Sequence, residues 1–168
     1  MALFPDDIEA AARESVRIRP ERRGPVAIPL RAVSALWYRL TKFQWSTLAV
    51  VAPGNGAGAW RIAQALVEVA EKRPRPLSAV NAVDASLERL TAVVELLSPE
   101  TLAEALERPR FVLAVDSPLE NPATIGLLSK CDAVVLLLER RRTRIPDGQR
   151  ILELVGPERF IGAVLYSE

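Results

Sequence analysis

The stretch from Thr47 to Leu66, TLAVVAPGNGAGAWRIAQAL, constrains this chain more than any other. An apolar run, Leu48–Val51, enters a loop carrying Gly54, Gly56 and Gly58, and Ile62, Leu66 and Val69 then recur at helical spacing. Strand, glycine loop and helix in that order place loop amides and a helix N-terminus together, which is the arrangement of an anion site. It also commits the chain to an α/β unit, because the helix following the strand must cover a sheet face.

A phosphate-binding loop of this outline reads G-x-x-x-x-G-K-[ST], with the lysine on the phosphates and the hydroxyl on magnesium. Laid on Pro53–Trp60, the first glycine is Pro53, the lysine position holds Ala59 and the hydroxyl position holds Trp60. The outline of the site is present without the side chains that do its chemistry.

The rest of the chain fits the same class. Leu30–Phe43 has helical spacing, with Val33, Leu36, Trp37 and Leu40 on one face. Trp37, Tyr38, Phe43 and Trp45 bring four of the nine aromatic residues into nine positions. Their ordinary role is to pack this helix on the sheet, and their other reading is a partner-binding patch with Trp37 and Trp45 at its centre. A helix is expected over Ala59–Glu71 and a strand over Leu77–Val83. Asp84 or Ser86 is a candidate cap for the next helix, on which Leu87, Leu90, Val94 and Leu97 recur. Ser98-Pro99 opens a short helix to about Glu107.

Phe111–Val115 and Ala133–Leu138 are uninterrupted apolar runs, as in strands buried on both faces. A short helix is expected over Pro122–Lys130. The basic cluster Arg140, Arg141, Arg142 and Arg144 follows the second run. Asp147-Gly148 opens a helix that Gly156-Pro157 stops, and Phe160–Tyr166 is the last strand. The fold class expected is a single doubly wound, mostly parallel sheet flanked by helices, with ligands at the strands' C-terminal edge. Residues 1–30, broken by Pro5, Pro20, Pro25 and Pro29 and rich in arginine, read as a flexible basic arm with a short helix. Residues 31–168 read as the α/β domain.

Composition excludes several functions. There is no histidine and one cysteine, Cys131, which excludes His-dependent triads, zinc sites and an internal disulfide framework. A net charge of +1 gives no global argument for nucleic acid. The first residues lack the apolar core of a secretory signal, and no apolar run reaches the ~20 residues that span a bilayer. A cytoplasmic protein is expected, peripheral at the inner membrane through a partner.

The order of landmarks resembles the MinD/ParA-type P-loop ATPases with a deviant phosphate loop, and most closely the cytoplasmic domain of bacterial tyrosine kinases of exopolysaccharide synthesis. The matching residues are the Pro53–Trp60 loop, Ile62–Leu66 after it, the Asp-x-Pro strand end Asp116-Ser117-Pro118, Cys131-Asp132-Ala133, Arg142-Thr143-Arg144 and the closing Gly162–Leu165 strand. The likeness spans roughly residues 32–166 and implies a P-loop NTPase-like fold. It also implies that Asp116 descends from a magnesium-linked carboxylate. The departures are at Ala59 and Trp60, at the paired-carboxylate strand end where only Asp84 remains, and at the adenine-reading position, where Tyr166 or Ser167 stands. The resemblance does not extend to the tyrosine-rich tail of the kinases.

Loss at several working positions together implies a non-catalytic pseudo-ATPase acting as a protein-interaction scaffold. The membrane-associated machine it would serve is one of surface-polysaccharide synthesis or export, or of cell-envelope positioning. No catalytic or metal-ligating residue is assigned. Gly54, Gly56, Gly58, Ala59, Trp60 and Asp116 form a vestigial cofactor loop with no cofactor expected beyond weak ATP or ADP binding. Trp37, Trp45, Arg140, Arg141, Arg142 and Arg144 are the partner-binding candidates. The partner expected is a membrane-complex component or a MinD/ParA-like homologue, in a homo- or heterodimer, with no metal and no nucleic acid. The alternative is a divergent ATPase or tyrosine kinase that takes its missing cation from a partner subunit, with Arg61 or the 140–144 arginines as candidates in trans.

Overall fold

The computed structural model describes residues 30–54, 56–71, 76–97 and 110–166. The expected basic arm over residues 1–30, apart from Leu30, and the expected helix after Ser98 lie outside these residues. The elements are α1 (Leu30–Leu40), β1 (Thr47–Val51), α2 (Ala57–Ala70), β2 (Leu77–Ala82), α3 (Leu87–Leu97), β3 (Arg110–Val115), α4 (Thr124–Lys130), β4 (Ala133–Glu139), α5 (Ile145–Val155) and β5 (Phe160–Tyr166). A single 3-10 turn, Pro157–Arg159, joins the last two.

All strand pairings are parallel, and the sheet order is β2-β3-β1-β4-β5. The expected doubly wound, parallel α/β fold is therefore the one observed. From central β1 the chain winds outward to β2 and back to β3, then crosses β1 to reach β4 and β5. The direction of winding reverses at β1, which puts a crevice at its C-terminal end.

Alternation along the strands builds two cores. Leu48, Val50, Val112, Ala114, Ala133, Val135 and Leu137 face α1 and α2, where Val33, Trp37, Leu40, Ile62, Ala63 and Leu66 meet them. Ala49, Val51, Leu113, Val115, Val134 and Leu136 face α3, α4 and α5 through Leu90, Leu127, Leu128, Ile151 and Val155. Burial on both faces is why β1, β3 and β4 read as continuous apolar runs. Each fully buried Leu or Val contributes about 1.5–3 kcal/mol relative to an exposed one.

Local chemistry fixes where the strands begin. The Asp132 carboxylate accepts N–H bonds from Ser46 (2.8 Å) and Thr47 (2.9 Å) and a hydroxyl bond from Thr47 (3.1 Å). In return Asp132 N–H donates to Thr47 Oγ1 (3.0 Å), so β1 and β4 start in register. The register of β5 shifts once, with Val134 opposite Phe160 but Val135 opposite Gly162, so Ile161 is the extra residue of a bulge.

Candidate functional site: the glycine loop and its lining

The β1–α2 loop lies at the C-terminal edge of the sheet, over the crevice that the reversal of winding creates. Val51 pairs with Leu136, yet β4 continues to Glu139, opposite Tyr166 of β5. Both strands therefore overrun β1 and wall one side of the loop. On the other side, Ala82 pairs with Val115, and the chain just beyond those two positions supplies Val83, Asp84 and Asp116.

These walls account for two of the three loop glycines. A Cβ on Gly56 would lie 2.5 Å from Val83 Cγ2 and 3.1 Å from Asp116 Oδ1. A Cβ on Gly58 would lie 2.7 Å from the Tyr166 phenol oxygen and 3.3 Å from Leu137 Cδ2. Distances below 3.0 Å mean that a side chain at either position would have to displace Val83 or the Tyr166 phenol, so close approach favours glycine. Backbone geometry is not the reason. Gly56 has φ −72°, and Gly156 is the one glycine with positive φ among the described residues. Gly54 has nothing within 4 Å of its Cβ position.

Helix α2 begins at Ala57, earlier than expected, with Gly56 as its N-cap and no side-chain cap; Trp60 N–H donates to Gly56 O at 3.0 Å. The remaining first-turn N–H groups leave the positive end of the helix at the loop. The two residues at the positions compared with a phosphate loop's lysine and hydroxyl both pack inward. Ala59 is wholly buried in the core shared with α1, and Trp60 is half-buried against the same core.

Asp116 is buried at the end of β3, and its Oδ2 accepts a 2.7 Å bond from the Asp84 N–H. Asp84 can aim that N–H because it adopts φ 57°, a left-handed conformation that Asp tolerates better than most residues. Burial raises the Asp116 carboxyl above its ordinary value, and the Asp84 charge adds to the rise. The Asp84 N–H and the Asn121 side chain oppose it. The strand-end carboxylate thus bonds an amide from the loop after the neighbouring strand β2.

Tyr166 is the lining residue that sequence reasoning undervalued, having marked it only as the replacement for an adenine-reading residue. Its phenol oxygen is 3.3 Å from Glu139 Oε2, and Glu139 Oε1 bridges to Arg142 at 3.1 Å. The three-residue spacing of Glu139 and Arg142, and the need of a half-buried tyrosine for a partner, were the available signals. The basic cluster is exposed and continuous with this chain of contacts. Arg140 N–H donates to Tyr166 O (2.7 Å), Thr143 closes the turn on Glu139, and Arg141 takes φ 70°.

The two tryptophans proposed as partner-binding are not at the surface. Trp37 and Trp45 are each 5% exposed and meet edge to face, with centroids 6.2 Å apart. Trp45 Nε1 donates to Leu40 O at 3.0 Å, and the Arg110 guanidinium lies over its ring. They close the core beneath the α1–β1 turn, and the surface there is made by Tyr38 and Phe43 instead.

No protein-family model matches the chain, and no curated protein sequence does. Among solved structures the chain is similar to the VpsO kinase domain, with a TM-score of 0.62 at 14% identity, covering 98% of this chain and 100% of that one. At that identity the likeness is one of fold: a parallel sheet flanked by helices.

Proposed function

We propose that this domain is a pseudo-ATPase: a kinase-like α/β scaffold that works as a protein-interaction module and not through nucleotide chemistry. The observation that carries this reading is the fate of the first turn of α2. Ala59 and Trp60 stand where an anion loop needs a cation and a hydroxyl, and both are committed to the apolar core. With the Tyr166 phenol against Gly58, the helix N-terminus is lined by an aromatic ring as well. A helix N-terminus alone still attracts anions, but it lacks the positioned charges that make phosphate binding strong. By resemblance of its landmarks, the machine served is a membrane-associated one of surface-polysaccharide synthesis or export, or of cell-envelope positioning. The partner is then a component of that complex or a homologue of this fold.

Calorimetry and thermal unfolding with Mg-ATP and Mg-ADP test the reading. No heat of binding and no shift in melting temperature are expected at millimolar nucleotide. A micromolar affinity would add about 4 kcal/mol of apparent stability at a thousandfold excess over Kd, and that result overturns the proposal. One observation favours the second reading, a divergent ATPase or kinase completed by a partner's cation. Asp116 is retained at the strand end beside the loop, and its carboxyl is raised. Nucleotide turnover that appears only on adding a partner and vanishes in Asp116→Asn would establish that second reading.

A further inference from the structure

The exposed aromatic and basic side chains around α1 form a surface that the nucleotide question does not touch. From Arg22 to Val67 the sequence contains no Asp or Glu, yet it carries Arg22, Arg23, Arg31, Arg39, Lys42 and Arg61. In the fold, Val33, Leu36, Trp37 and Leu40 turn inward on α1, so Arg31 and Tyr38, seven residues apart, share its outward face. Lys42 joins them, with its Nζ 5.0 Å from the centre of the Tyr38 ring. Tyr38 is 66% exposed and Phe43, in the turn after α1, is 47% exposed. Arg31, Arg39 and Lys42 are exposed too.

We infer that this face of α1 and the turn after it dock on an anionic lipid surface. Exposed aromatic rings flanked by cations on an outward helix face suit a planar anionic interface. Tyr and Phe rings settle at head-group depth, and Lys and Arg beside them are held by anionic head groups. The cations Arg31, Arg39 and Lys42 on this exposed face make the attraction to anionic head groups sensitive to salt. The domain then reaches the membrane by its own surface as well as through any protein partner.

The test is co-sedimentation of the full chain with vesicles of phosphatidylcholine alone or with about 30% phosphatidylglycerol. Anionic vesicles are expected to take up the protein at least about tenfold better than neutral ones, with the gain lost on raising salt from about 0.1 M to about 0.5 M. Arg31→Glu with Lys42→Glu should abolish the gain. Tyr38→Ser with Phe43→Ser should weaken it while the salt dependence stays. These positions lie outside the core, so an unchanged melting temperature checks that the variants are folded. Equal partition onto neutral vesicles, no uptake by anionic ones, or full uptake of the charge-reversed variant overturns the inference. So does tighter capture of a single-stranded oligonucleotide than of anionic vesicles, with no dependence on Tyr38 and Phe43.

Discussion

The phenol oxygen of Tyr166 lies 2.7 Å from where a Cβ on Gly58 would be, so the end of the last strand sets the side chain allowed at the start of α2. Gly58→Ala inserts a methyl group into that contact, within a helix that would otherwise favour alanine over glycine by ~1 kcal/mol. The steric term is the larger because the Tyr166 phenol must swing off its Glu139 contact to make room, a repacking of about 1–3 kcal/mol. Urea unfolding should show net destabilisation. Shortening the partner, Tyr166→Leu, should cost stability alone yet relieve Gly58→Ala, giving a favourable coupling energy in the double-mutant cycle. Strict additivity would mean that the two residues do not meet.

Asp116 makes a prediction about pH. Its carboxyl is raised in the folded state, mainly by burial, so the native fold holds that proton more tightly than the unfolded chain does. Its contribution to stability is fully present below the unfolded value and is lost as pH rises through the folded one. Asp116→Asn removes the buried charge and keeps an oxygen to accept the Asp84 N–H. The variant should therefore be more stable than the parent at neutral pH, with the difference closing as pH falls toward ordinary carboxylate values. Melting temperatures across pH 3–8 provide the measurement. A variant less stable at neutral pH would show that the ionised carboxylate is the better acceptor and that its hydrogen bonds outweigh burial.

Much of the frame was legible because two-sided burial writes itself into the sequence. Phe111–Val115 and Ala133–Leu138 have no polar interruption, and β3 and β4 appear there with at most one residue added at an end. Helix starts were less visible where the chemistry was ambiguous. Helix α5 opens at Ile145 with Pro146 in its first turn, ahead of the Asp147-Gly148 start inferred from the sequence. Gly58 read as loop although it lies inside α2, because a glycine forced by a distant neighbour looks the same in sequence as one needed for a turn. The site was legible in outline and illegible in cause. Tyr166, Val83 and Asp116 reach the loop from three different strand ends, and no local pattern encodes such a meeting. The same limit applied to Trp37 and Trp45, where an aromatic cluster could be core or surface until its neighbours were in place.

The Asp132 carboxylate anchors the start of β1 from the start of β4 through two backbone N–H groups and one hydroxyl. Asp132→Ala leaves those donors to find water at a partly exposed site. A loss of about 1–3 kcal/mol is expected from denaturant midpoints, the usual range when a charged acceptor is deleted. Asp132→Asn retains one oxygen and should fall between the two. If Asp132→Ala were neutral, water would be satisfying the amides and the register would rest on apolar packing alone.

Trp45 separates a structural role from a binding role at the α1–β1 turn. Its indole N–H donates to Leu40 O, its ring meets Trp37 edge to face, and the Arg110 guanidinium covers the outer side. Trp45→Phe keeps most of the ring but deletes the indole N–H, leaving the Leu40 carbonyl with the Phe43 N–H as its remaining donor, at a cost of about 0.5–1.5 kcal/mol. Trp45→Ala opens a cavity in addition, and about 3–5 kcal/mol is expected, enough to unfold a marginal domain. Surface docking through Tyr38 and Phe43 should survive Trp45→Phe unchanged, because the indole is not at the interface. Loss of membrane uptake in Trp45→Phe with an unaltered melting temperature would return the tryptophan to the binding surface and displace the role that its burial gives it.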